Sequence, residues 1–173
     1  MPRLDQRLGF TRYEADEHYR NALSAYHKGD FDNAIESLNQ AIDLLPTRAE
    51  LFAARGFIYL EDGETQQALE DFEDALKLYP YEMLAHYGLG MIAYHDGNWD
   101  KALEHFNRAY YADSKRPETN YYLGLVHYHK QQFARALELM TTAQAGLEAA
   151  NHKQKTDAAR WVRELNRLVK AGG

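Results

Sequence analysis

Residues 83–116 read MLAHYGLGMIAYHDGNWDKALEHFNRAYYADSKR, and residues 49–82 just before them read AELFAARGFIYLEDGETQQALEDFEDALKLYPYE. Laid one over the other, they put Gly90 on Gly56, Gly97 on Gly63, Ala102 on Ala68 and Phe106 on Phe72. The same offset of 34 residues reaches back to Ala22, Gly29, Ala34 and Leu38 in residues 15–48. It reaches forward to Gly124, Ala136 and Met140 in a stretch that starts at Pro117 and loses the pattern near residue 147. A fixed period of this length marks a stack of small units, none large enough to bury its own apolar face.

Each unit splits into two helical patterns. The breaks fall at Lys28-Gly29-Asp30, Asp62-Gly63-Glu64 and Asp96-Gly97-Asn98. Glycine ends the first helix of each pair because it tolerates positive φ. Phe31, Trp99 and Phe133 open the second helices, with Thr65 at that place in the second unit. Pro46 and Pro80 close two of them, since proline cannot continue a helix. The small column Ala22, Gly56, Gly90 and Gly124 is expected to face Ala34, Ala68, Ala102 and Ala136, so that paired helices approach closely. Leu38, Phe72, Phe106 and Met140 are expected to fill the space between hairpins. The fourth unit departs from the pattern with Gln131 in the glycine column and no closing proline, and the third has Ser114 in the proline column.

Composition agrees with a folded chain of one domain's size: 173 residues, 45% hydrophobic, with four prolines. There is no cysteine, hence no disulfide framework, thiolate zinc site or catalytic thiol, which suits a reducing compartment. The start, MPRLDQRLGFTRYEADEHYR, is charged throughout and does not read as a signal peptide, and no run of about 18 apolar residues suggests a membrane span. A cytoplasmic location and no membrane insertion are the expectation. The net charge of −6 argues against general nucleic-acid binding, which draws its affinity from phosphate neutralisation. Charge is unevenly spread, −7 over residues 49–82 and +4 over residues 151–173. In the last segment Ala158, Trp161, Val162, Leu165, Leu168 and Val169 recur at helical spacing, so residues 151–173 read as an amphipathic helix capping the array.

The search for reaction chemistry is negative. There is no phosphate-cradling glycine loop, nucleophile elbow or HExxH. His127 and His129 lie two apart on a helix and point about 200° apart, so they cannot share a metal directly. His18, His86 and His127 fall in columns that pack inside the hairpins. Asp96-Gly97-Asn98-Trp99-Asp100 lacks the ligand order of a calcium loop and is read as a hairpin turn. The chain is expected to be non-enzymatic, with no catalytic, cofactor-binding or metal-binding residues.

Over residues 15–148 the columns of small, aromatic and proline residues resemble the tetratricopeptide repeat family. The resemblance implies an all-α, right-handed superhelical solenoid of antiparallel helix pairs. It divides the chain into an arm at 1–14, four hairpins at 15–150 and the cap at 151–173. It further implies that the first helix of each pair lines a concave groove that binds extended or helical peptides. Carried onto this chain, the groove residues are Tyr19, Tyr87 and Tyr121, then Tyr26, Tyr94 and Tyr128, with Leu23, Phe57, Met91 and Leu125 between them. That middle column is apolar in all four units, where polar residues are common in the family. Family members that clamp acidic chaperone tails use lysine, asparagine and arginine in the groove. The matching places here hold Tyr19, Leu23, Ala54, Leu84 and Gly88, so no carboxylate clamp is expected.

Together these features point to an adaptor, scaffold or assembly factor holding an apolar or aromatic segment of another protein. The alternative is a structural or regulatory subunit, or a homo-oligomer, whose groove or ends are permanently filled. A third arrangement has the N-terminal arm folding back through Leu4, Leu8 and Phe10.

Overall fold

The computed structural model describes residues 4–171, with side chains from residue 9 onward. Among the described residues it is all-α, with nine helices: α1 (Leu4–His27), α2 (Phe31–Leu44), α3 (Ala49–Glu61), α4 (Thr65–Leu78), α5 (Met83–His95), α6 (Trp99–Ala112), α7 (Pro117–His129), α8 (Phe133–Ala149) and α9 (Lys155–Ala171). No helix among them is long and apolar enough to cross a membrane. The second helices open at Phe31, Thr65, Trp99 and Phe133, the positions expected from the repeat.

The local reasons are visible at the breaks. Gly29, Gly63 and Gly97 have φ of 74°, 89° and 72°, the left-handed conformation that lets the chain turn back on itself. Gln131 adopts the same conformation, φ 59°, in the fourth unit. Its turn also makes the same two amide bonds as the first. Gly29 and Gln131 donate to the carbonyls of Tyr26 and Tyr128, both at 2.9 Å, and Asp30 and Gln132 donate to those of Ala25 and His127 at 3.0 and 2.9 Å. The turn is therefore kept without its glycine. Asp30 caps α2 by accepting from the Asn33 amide at 3.3 Å, and Asn98 caps α6 from the Lys101 amide at 3.1 Å. α8 runs on to 17 residues, against 14 in α2, α4 and α6, although α6 also lacks a closing proline, with Ser114 in that column.

The chain divides into two compact units, Met1–Gly88 and Leu89–Gly173. In the first, Ala22, Ala34, Leu38, Ala41, Leu51, Ala54 and Ile58 form one core cluster. Phe72 of α4 is fully buried beside it. A β-carbon placed on Gly56 of α3 would lie 2.9 Å from the Phe72 ring, and one on Gly88 of α5 would lie 2.1 Å from it. The glycine column therefore faces the bulky residue one turn beyond the alanine, not chiefly the alanine itself. A ring needs more depth than a methyl group, and only a glycine supplies it. The second unit repeats the arrangement, with a β-carbon on Gly90 falling 2.7 Å from the Phe106 ring. At Gly124 the neighbours are both Met140 and the Ala136 carbonyl, at 3.1 and 3.3 Å.

One polar group joins three helices of the first unit. The Arg55 guanidinium donates to both Asp71 carboxylate oxygens at 2.8 and 2.6 Å and to Asn39 Oδ1 at 2.7 Å, and lies over the Phe52 and Tyr59 rings. Burial pushes the Asp71 carboxyl up, against the downward pull of Arg55.

The arm differs from expectation. α1 starts at Leu4 and passes through residue 15 without a break, so residues 4–14 continue the first helix. Phe10 is 69% exposed and serves as no anchor; the side chains of Leu4 and Leu8, the other proposed anchors, lie outside the described residues.

Two substitutions test this packing. Gly88→Ala should destabilise the protein by about 1–3 kcal/mol in urea unfolding despite the better helix propensity of alanine, and Phe72→Leu in the same chain should recover part of that loss. Equal stability of Gly88→Ala and the parent would remove the close approach from the account. Gln131→Gly should raise stability by about 0.5–1 kcal/mol, since it relieves a left-handed side-chain residue.

Candidate functional site

On the first unit, α1 and α3 carry several of the residues expected to line a groove. Tyr19, Leu23 and Tyr26 of α1 stand with Ala54, Phe57 and Ile58 of α3 around an open cavity of about 80 Å³. Ala22 and Leu38, both fully buried or nearly so, form its floor, and Leu84 of α5 completes the wall. Leu23 is 39% exposed at the rim. The rings form a chain along the face. Tyr26 stacks on Phe31 at 6.0 Å, meets Phe57 edge-on at 6.4 Å, and Phe57 tilts against Tyr87 at 6.2 Å. Burial pushes the Tyr19 hydroxyl up, and the neighbouring Glu50 and Glu82 add to it against Arg48.

Arg48 lies beside Tyr19 of this cavity and was not in the expected set. Its guanidinium lies 5.8 Å from the Tyr19 ring centroid and pairs with Asp16 and Glu50. Leu84 was also missed as a wall residue. Its column otherwise reads Asp16, Glu50 and Glu118, so an apolar residue there was a usable signal.

The second unit treats its share of the expected residues differently. Met91, Tyr94 and Tyr128 are half-buried. Tyr94 meets Trp99 and Tyr122 edge-on at 5.4 and 5.6 Å, and Trp99 stacks flat on His129 at 4.0 Å. Tyr121 and Leu125 are core residues, 7% and 6% exposed, clustered with Ala158 and Leu165 of α9. In the first unit Tyr87 is likewise 4% exposed. These three were expected as groove surface and are corrected to packing residues, because the neighbouring helices cover most of each side chain. His86 is buried as expected, its Nε2 3.0 Å from the Pro80 carbonyl, while His18 and His127 are half-buried.

Comparison with known proteins joins these features. One tetratricopeptide repeat model matches residues 22–63 and another matches residues 53–117, together more than half of the chain. The chain is a tetratricopeptide repeat protein. A third model, described as anaphase-promoting complex, cyclosome, subunit 3, matches residues 95–155. No curated protein matches the sequence significantly. Among solved structures, MamA from Desulfovibrio magneticus RS-1 is similar with a TM-score of 0.61 and 18% identity, covering 91% of this chain and 96% of that one. PilF of Pseudomonas aeruginosa gives 0.69 at 21% identity, covering 94% and 78%. The first tetratricopeptide domain of Spaghetti (RPAP3), solved with the HSP90 peptide SRMEEVD, gives 0.64 at 17% identity, covering 69% and 98%. At these identities the likeness is one of fold.

Within this tetratricopeptide repeat protein, α9 is the expected capping helix, and it packs on the fourth hairpin in register with the first helices. Ala158 falls 34 residues after Gly124, is fully buried, and shares a core cluster with Ala136 and Met140. The small column thus has a fifth member, and α9 takes the place of a fifth first helix. Trp161 meets the Tyr128 ring at 4.8 Å. Trp161→Ala should lower stability by about 2–4 kcal/mol in chemical unfolding, and Tyr128→Ala should add little to it in the double variant. Additive losses would mean that the two rings do not act as one contact.

Proposed function

We propose that this protein is a non-enzymatic interaction module whose first unit holds an apolar or aromatic segment of a partner protein against Tyr19, Leu23, Tyr26 and Phe57. The observation that carries the reading is the open cavity between α1 and α3, apolar on its floor and walls and edged by aromatic rings. A rimmed apolar recess of this kind is a site for a partner, and its large rings contribute contact area at low entropic cost. Met91, Tyr94 and Tyr128 are assigned a secondary contact role on the second unit through their exposed edges. The Spaghetti domain, which shares the fold, was solved with a peptide, which supports peptide binding as the mode. A cysteine-free chain is suited to the cytoplasm, where we place it.

The ligand differs in chemistry from the acidic peptide of that neighbour. Tyr19, Leu23, Ala54 and Leu84, at places where chaperone-clamping members carry polar residues, here line the apolar cavity. The Arg48 guanidinium beside Tyr19 is already engaged by Asp16 and Glu50.

A second reading, a subunit held permanently in a larger assembly or homo-oligomer, is favoured by exposed aromatics away from the cavity. Tyr79 and Tyr81 pack edge to face at 5.9 Å while 53% and 71% exposed, and Tyr111 is 86% exposed.

Affinity capture from the source lysate tests the first reading, with Leu23→Asp as control after its helicity is verified. A protein held by the parent and lost by Leu23→Asp identifies the partner and its place. Equal capture by both moves the interface off this face. In calorimetry the acidic peptide SRMEEVD should show no micromolar binding.

A further inference from the structure

α9 turns its apolar side to α8, where Ala158 and Leu165 are fully buried and Trp161 and Val162 partly so. Outward it turns a stripe of bases. Arg160, Arg163, Arg167 and Lys170 follow one another at helical spacing, which sets all four on one face, and all four are exposed. The acids of the helix do not interrupt the stripe. Asp157 and Glu164 lie along its edge, each pairing at 3.0 Å with a guanidinium, Arg160 and Arg167, that stays 70% and 77% exposed. Lys155 is half-buried and donates to Asn151. Exposed pairs of this spacing hold little energy, and α9 as a whole sets five bases against two acids, so the face stays positive.

α4 carries the opposite pattern. Asp71 is turned inward to Arg55 and takes no part. The outer face holds Gln66, Glu70, Glu73, Asp74 and Lys77, and the turn before the helix adds Asp62 and Glu64. Lys77 pairs with Asp74 at 2.8 Å. With those two set against each other, Asp62, Glu64, Glu70 and Glu73 are left, all exposed. The partners of Glu64 and Glu70 are the neutral amides of Gln67 and Gln66, both at 2.9 Å.

Laid antiparallel, the two faces match in sign along their length. With Arg163 opposite Glu70, Arg160 comes to Glu73, Lys170 comes to the acidic turn, and Lys77 falls beside Asp157. Arg167 then meets the neutral Gln66. Laid parallel about the same central pair, Lys170 meets Lys77 and Asp157 meets Glu64, so like charges face each other at both ends.

We infer that the α9 stripe docks on the α4 face of a second copy of this chain, the two helices running antiparallel. This gives the second reading above its contact, and rests on it. The two patches differ, so the contact is heterologous: each copy brings one of each, and assembly runs head to tail into a chain or a ring. Held by exposed charges, it is weak and sensitive to salt.

Sedimentation velocity of the full chain, over a range of concentrations at low and high salt, tests this. At low salt the mass should climb with concentration past that of two chains, and high salt should return it toward one. Arg163→Glu and Glu70→Arg should each weaken association about tenfold, with helicity unchanged by circular dichroism. Combined in one chain, or mixed as two variants, they should restore it, because the exchanged charges then face each other. Failure of both rescues would overturn the pairing. Direction is read from a second exchange: Arg160→Glu should rescue Glu73→Arg, and Arg167→Glu should not. The reverse result would overturn the antiparallel register. Association that neither salt nor these variants move would overturn the inference and leave the homo-oligomer standing on another face. The mass of one chain at every concentration would overturn both the inference and the homo-oligomer itself.

Discussion

The packing of a bulky side chain into the space left by glycine is the constraint on which this fold depends. A hairpin of two short helices has two apolar sides and can cover only one with its own partner helix. Phe72 shows how the other is used. It lies against Gly56 on its own hairpin and against Gly88 on the first helix of the next, so one ring serves both the hairpin and the step between hairpins. The step is tuned by size at each level. Leu38 shares a core with Ala54, Phe72 reaches Gly88, and Phe106 stacks on Tyr122 at 5.4 Å. The residue opposite shrinks, vanishes or becomes a flat partner according to what it must receive. That variation preserves the period without preserving the residues.

The proposed binding face is a by-product of the same arrangement. First helices carry the small column on one side to meet their partners, which leaves another side free. On the first unit that free side holds Tyr19, Leu23 and Tyr26, and the short side chains Ala22 and Ala54 that allow close packing also leave the recess. Tight backbone packing and an open surface cavity thus have one origin. On the second unit α9 contributes Ala158, Trp161 and Leu165 to the core around Tyr121 and Leu125. The same columns are consequently surface at one level and core at another.

Period and turn chemistry made the helix pairs legible in the sequence. Gly29, Gly63 and Gly97 marked the first three reversals, and the first residues Phe31, Thr65, Trp99 and Phe133 followed. The site was less legible, for a physical reason. A column of tyrosines reports only that the position tolerates a large amphipathic ring; it does not say which neighbour covers it. Tyr19 and Tyr87 occupy one column, yet the first is half-buried beside a cavity and the second is 4% exposed. Exposure depends on side chains from adjacent levels, such as Leu84 in a column otherwise acidic, and no single column carries that information. The pairing of Arg48 with Asp16 spans 32 residues and has no local pattern to reveal it.

The placement of α9 bears on what counts as the unit of such a chain. With Ala158 in register, α9 packs on α8 as each first helix packs on the second helix before it. A hairpin is then a convention of counting rather than an indivisible part. One could equally begin each unit at the second helix and end it at the next first helix, and the contacts between α2 and α3, α6 and α7, and α8 and α9 would become internal to it. Duplication or deletion of genetic material can therefore enter the array at either kind of boundary.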